Sequence, residues 1–237
     1  MAQMYQISTM QALMLGYSKG VVPVKKLLEH GDAGLGTFED VAGEMIMLEH
    51  KVYQADNTGA IKEAAPETGV PFAAVAFTGD AVEFEIKAGK HIDELKAQLN
   101  TVIDEDFGLN SMYVVRLDGF FPVVKARSEA GQRSHHIELS EILKKNQKDF
   151  QFEQIRGSIV CLYFPDYMDG INAADWHFHF LSEDRTFGGH VYDLEFEDLK
   201  AKRTRLSTIQ IHLPKDKAFD TYPLKAVSRD DVKKVEQ

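Results

Sequence analysis

Apolar and polar positions along the chain fall into two periods. Helical spacing occurs in three places: "STMQALMLGYSKG", with Ser8 as a possible cap and a Gly-rich stop; "GKHIDELKAQLNTV", with Ile92, Leu95, Leu99 and Val102 on one face; and the shorter "SEILKKNQ" near Ser140. Most of the remainder alternates with a period of two. "EMIMLEHKVYQADNTGAIKE" reads as a hairpin around the turn signal "DNTG", and "SMYVVRLDGFFPVVKARS" as another around Asp118 and Gly119. The strands mostly follow one another without an intervening helix. That order predicts an α+β fold with mixed or antiparallel β-sheets and a few flanking helices, not a doubly wound parallel sheet.

The histidines add chemistry to this pattern. "DWHFHFLSEDRTFGGHVYDLEFED", residues 175–198, places His177, His179 and His190 within one strand–turn–strand unit. Residues two apart on a strand share a face, so His177 and His179 project together while Trp176, Phe178 and Phe180 take the other side. "SEDRTFGG" should reverse the chain, with Asp184 and Arg185 shaping the turn and Gly188 and Gly189 permitting the backbone that delivers His190. His190 is then expected to share a face with Tyr192, Leu194 and Phe196. In that register three neutral imidazoles meet, a donor set that suits a catalytic zinc with one open corner, although iron, manganese, cobalt and nickel accept the same donors. The competing reading is three ordinary histidines in a strand-rich region. A β-barrel-like lobe would carry the metal.

Size and charge narrow the function. A chain of 237 residues fits one unit, 1–237, with two lobes at roughly 1–140 and 141–237 as a variant. The single Cys161, in the apolar run "IVCLYF", rules out an internal disulfide and reads as a small core hydrophobe. Net charge is −10 with scattered Lys and Arg, which argues against nucleic acid. No window approaches the ~20 apolar residues of a membrane span, and "MAQMYQISTM" has no signal-peptide pattern, so a cytoplasmic protein acting on a small molecule is expected.

Four segments carry a resemblance to the α-acetolactate decarboxylase family: "HGDAGLGTFEDVAGEM" at 30–45, "PFAAVAFT" at 71–78, "RLDGFFPVVKARS" at 116–128 and "HFHFLSEDRTFGGHVYD" at 177–193. The resemblance spans nearly the whole chain. It implies a zinc-dependent carbon–carbon lyase that converts 2-acetolactate, a 2-hydroxy-3-keto acid, to acetoin on the way to butanediol, without an organic cofactor and as a homodimer. His177, His179 and His190 match the family's metal ligands, and Glu44, Arg127 and Glu236 match its catalytic residues, Glu236 by its place near the chain end alone. Without the resemblance, Glu44 reads as an exposed acid at a strand edge, Arg127 as a surface charge in "KARSEAGQR", and Glu236 as one more charge in "SRDDVKKVEQ". The chain departs from the family at "VAGE", where the acid before the glycine is Ala42, at "GSIVCLYF", residues 157–164, and at "RSHHIELSE". Those changes are expected to reshape the pocket wall. Two alternatives remain: a cupin-like dioxygenase, for which Glu183 lies four residues beyond His179, and a metal- or acid-binding protein without turnover.

Overall fold

The computed structural model describes residues 2–106, 108–133, 137–225, 228 and 231–232. In chain order the elements are β1 (Gln3–Ile7), α1 (Met10–Met14), β2 (Val22–Pro23), α2 (Val24–Leu28), β3 (Ala33–Thr37), β4 (Glu44–Leu48), β5 (Lys51–Ala55), β6 (Ile61–Glu63), β7 (Gly69–Val70), β8 (Phe72–Ala76), β9 (Val82–Ile86), α3 (Ile92–Asp106), β10 (Met112–Glu129), α4 (Leu139–Asn146), β11 (Gln147–Phe164), β12 (Asp175–Ser182), β13 (Gly188–Glu195), β14 (Leu199–Leu206), β15 (Thr208–His212) and α5 (Lys217–Thr221). This is the expected α+β class, mostly sheet with few helices.

Two sheets pack face to face. One has seven strands in the order β15-β1-β8-β3-β4-β5-β6, the other six in the order β11-β12-β13-β10-β14-β9, and a further pairing of β10 with β11 closes β10, β11, β12 and β13 into a ring. Among the described strands every pairing is antiparallel except β1 with β15. Period-two alternation explains the layers. On β10, Tyr113, Val115 and Leu117 face a core shared with Leu95, Leu99 and Ile103 of α3, while Val114 faces Leu35, Ile46 and Ala74 of the seven-stranded sheet. The far side of that sheet, through Met45, Met47 and Val75, packs on Val24 and Leu27 of α2. Each fully buried apolar side chain contributes about 1.5–3 kcal/mol relative to exposure, so these paired faces hold the sheets together.

Several expectations change here, each for a local reason. "DG" at Asp118 and Gly119 makes no turn, because β10 runs extended through both and pairs with β11 on either side of them, Gly119 opposite Gly157. Glycine serves close approach there, since a Cβ would meet Leu199 Cδ2 at 2.5 Å. The first predicted hairpin is three strands, not two: β4 and β5 turn at Glu49 and His50, with φ of 54° and 61°, before "DNTG" turns β5 into β6. Neither Glu nor His signals such a turn in sequence. As a result Ile46 and Leu48 face the central core and Val52 faces the other side. Thr9, not Ser8, caps α1 by accepting from Ala12 N at 3.2 Å. On α3 the buried face is Leu95, Leu99 and Ile103 instead of Val102. Cys161 is fully buried, donates its thiol to Val115 O at 3.4 Å, and is held protonated by burial.

Candidate metal centre

β12 lies between β11 and β13, which fixes both of its faces. Val160 stands opposite His179, Leu162 opposite His177, and His179 opposite His190. Trp176, Phe178 and Phe180 enter the core beneath α3, where Trp176 Nε1 donates to Asn100 Oδ1 at 2.8 Å, so the histidines must face the seven-stranded sheet. The turn that returns His190 is polar and locally closed. Asp184 accepts from Ser182 Oγ at 2.7 Å and from Thr186 N and Oγ1 at 3.1 and 2.7 Å, contacts that hold its carboxyl below the usual range. Arg185 takes a positive φ of 61° and reaches Glu49 at 3.1 Å. Gly188 passes so near Phe180 that a Cβ would stand 2.5 Å from its carbonyl oxygen.

His190 does not share a face with Leu194 and Phe196. The β10–β13 register shifts between Lys125 and Ala126, which pair with Asp193 and Val191, leaving Tyr192 as an extra residue. Val191, Leu194 and Phe196 therefore enter the core while His190 faces the histidine pair.

The three imidazoles converge. His177 Nε2 lies 3.1 Å from both His179 Nε2 and His190 Nδ1, and the three rings are all but sealed from solvent. Nitrogens bound to one tetrahedral ion at 2.0–2.1 Å would be about 3.3 Å apart; the two spacings to His177 are close to that, and one ligand atom from each of the three rings lies within 4.8 Å of the others. His179 Nδ1 lies 2.9 Å from Met45 O; donation to that carbonyl leaves the Nε2 lone pair facing the cluster. Burial pushes His179 down to about 3 and His177 well below its ordinary value, with Arg127 adding to the effect on both. Neutral rings at neutral pH are what a metal requires. The three buried histidines could bind a metal ion.

Glu44 joins them from the other sheet, contrary to the exposed-edge reading. Its Oε2 lies 3.3 Å from His179 Nε2, its Oε1 3.9 Å from His190 Nδ1, and its side chain is 14% exposed. Two features set its position. Gly43 holds a φ of +82° beside Ala55 O, where a Cβ would come within 2.2 Å, and Ser128 of β10 lies between Glu44 N at 3.3 Å and Ala55 O at 2.9 Å. Arg127, adjacent to Ser128, pairs with His190 in the register and places Nη2 3.2 Å from His190 Nε2.

A cavity opens over these groups. Glu44, Arg127, His177 and His190 line it at one end, and Met10, Leu13, Phe72, Leu139 and Leu143 form an apolar wall. Glu236 lies outside the described residues. Glu183 is exposed in the turn and is not one of the groups that could hold an ion, which counts against the dioxygenase pattern. Residues 157–164 are core on both faces and Ala42 packs behind β4, so these two departures do not form the cavity wall, whereas the third, "RSHHIELSE", contributes Leu139 to it. Glu129, Gln147 and the Met45 carbonyl were missed by sequence reasoning; only Glu129 left a trace, an acid two residues beyond Arg127 on one strand face.

Comparison with known proteins identifies the family. The family described as alpha-acetolactate decarboxylase matches residues 4–226. The alpha-acetolactate decarboxylase of Methanosarcina mazei is 35% identical over 99% of this chain and 80% of its own length, and that of Brevibacillus brevis 34% identical over 98% and 80%. The crystal structure of alpha-acetolactate decarboxylase from Bacillus subtilis strain 168 superposes with a TM-score of 0.93 at 28% identity, covering 99% of both chains. With its convergent histidines and this likeness along nearly its entire length, the chain belongs to the alpha-acetolactate decarboxylase family.

Proposed function

We propose that this protein is a carboxy-lyase that converts 2-acetolactate to acetoin and carbon dioxide, with His177, His179 and His190 holding a divalent ion, zinc foremost. The observation that carries the reading is the meeting of three buried imidazoles, two of them held neutral by burial, with Glu44 and Arg127 beside one cavity. When bound, the ion supplies a Lewis acid for the oxygens that take up charge as the carboxylate leaves.

The residues then have distinct tasks. Arg127 presents a planar fork that matches the two oxygens of the substrate carboxylate and orients the bond to be broken. It must hold the ground-state anion no more firmly than the transition state, or the binding would not speed the reaction. Breaking that bond sends its electron pair into the adjacent carbonyl, giving an enediolate that needs one proton. Glu44, beside the imidazoles and mostly shielded, is placed to carry it; Glu236 is a further candidate by resemblance. The apolar wall receives the methyl groups and keeps water from the reacting carbons.

Zinc as the native ion, a homodimer, a cytoplasmic setting, one unit spanning 1–237 with a barrel-like metal lobe, and the absence of nucleic-acid or membrane partners belong to the same proposal. The four-strand ring supports the lobe. Among the described residues no helix is long and apolar enough to cross a membrane.

The test is acetoin formation from racemic acetolactate under anaerobic conditions, with metal-replete and chelator-treated protein. Acetoin from the replete protein alone is expected, and His179→Ala should lose both metal content and turnover. Carbon dioxide release that requires oxygen would favour the dioxygenase, and metal binding without turnover a binding protein.

A further inference from the structure

Glu44 and Arg127 have to act on one substrate, yet they stand on different sheets. Arg127 is fixed by β10, where it pairs with Asp149 of β11 on one side and His190 of β13 on the other. Glu44 is the first residue of β4 and follows a loop of costly backbone, in which Asp40, Val41 and Gly43 take φ of 64°, 55° and 82°. For a β-branched residue such as Val41 that conformation is strained, and it persists only where the surroundings impose it.

The groups that impose it come from two sides. Within the seven-stranded sheet, Thr37 Oγ1 donates to Gly43 O at 2.9 Å and Gln54 Nε2 donates to Ala42 O. The second set belongs to β10 and the residues just after it. Gln132 N donates to Asp40 O at 2.9 Å, and Gly131 passes so near Ala42 that a Cβ would stand 2.7 Å from the alanine Cβ. Ser128, fully buried, accepts from Glu44 N at 3.3 Å and donates to Ala55 O, the register partner of Glu44, at 2.9 Å. Residues 128–132 therefore run back along 40–44. In that run Ser128 is the residue that meets the main chain of Glu44, and it adjoins Arg127 in sequence.

We propose that Ser128 is a positioning residue whose hydroxyl sets Glu44 at the distance from Arg127 at which a proton reaches the carbon that loses its carboxylate. The inference rests on the roles given to Glu44 and Arg127 under the proposed function. Ser128 acts by fixing main chain, and a misplacement of about 1 Å in a reacting geometry costs on the order of a hundredfold in rate.

The experiment is a double-mutant cycle on the metal-loaded full chain, with S128A, E44Q and the pair assayed for acetoin formation. S128A should keep the metal and lower kcat at least about tenfold, with KM within about threefold of wild type. In the E44Q background the same change should alter kcat by less than about twofold, because the group it positions is gone. An equal fall in both backgrounds shows a structural role alone and overturns the proposal, as does an S128A protein with wild-type kcat. S128C fills the same space with a weaker donor and acceptor and should follow the same pattern at smaller amplitude, so a fold lost in S128A leaves the test standing. Hydrogen exchange over residues 40–44 needs no turnover: S128C should raise it relative to wild type, and unchanged exchange overturns the proposal. Absence of acetoin from the wild-type chain, with exchange raised by the substitution, counts against the decarboxylase reading alone.

Discussion

His179 is fully buried, and its two ring nitrogens serve different ends: one faces the Met45 carbonyl and the other the metal position. With its folded pKa depressed to about 3 and an ordinary value near 6.5, the unfolded chain binds a proton in that interval and the native chain does not. Stability is therefore fully present above about 6.5 and is lost as pH falls toward 3, at up to about 1.4 kcal/mol per pH unit for this ring and in the same direction for His177. Denaturant unfolding of the chelated protein at pH 7, 6 and 5 should show midpoints falling with pH, with a shallower fall in His179→Gln; parallel curves would contradict the assignment. Glu44→Gln should keep the metal and lower turnover by about 10²–10⁴, as expected when a proton carrier is removed. Arg127→Gln should also keep the metal, and its damage should appear in kcat as well as KM.

Among the elements, legibility followed local chemistry. The H-x-H strand, the polar turn with Asp184 and the α3 stripe could all be read, because each carries its own period or capping residues. The Glu49–His50 turn could not, since its positive φ values are imposed by the sheets around it and not by glycine or asparagine. Nor could the passage of β10 through "DG", where pairing with β11 on one side and β14 and β13 on the other outweighs a turn-prone dipeptide. The extra residue at Tyr192 was invisible for the same reason, and it is what turns His190 toward its partners. Gly188→Ala tests how far the β12–β13 hairpin governs the site. The clash with the Phe180 carbonyl should cost about 1–3 kcal/mol in unfolding experiments, and metal affinity should fall with it because His190 is displaced.

At the scale of the whole molecule, the histidines that would hold an ion all come from the six-stranded sheet, while Glu44 and the Met45 carbonyl that His179 faces come from the seven-stranded one, so the centre lies where the two sheets meet. At a free metal concentration 1,000 times the Kd, such binding stabilises the native chain by about 4 kcal/mol. Calorimetry should show the melting temperature rising with zinc in wild type and not in His179→Ala. The chain after β15 makes a second long-range connection. Asp216 caps α5, receives Tyr17 Oη at 2.9 Å and Lys19 Nζ at 3.0 Å, and is held down to about 2 by the Phe219 amide and these partners. Tyr222 Oη donates to Leu15 O, and Val232 packs with Met10, Leu13 and Leu139, three side chains that line the cavity. A protease nick beside the exposed Leu213 would therefore loosen the grip on the apolar wall from a distance, leaving the imidazoles in place while substrate escapes more readily.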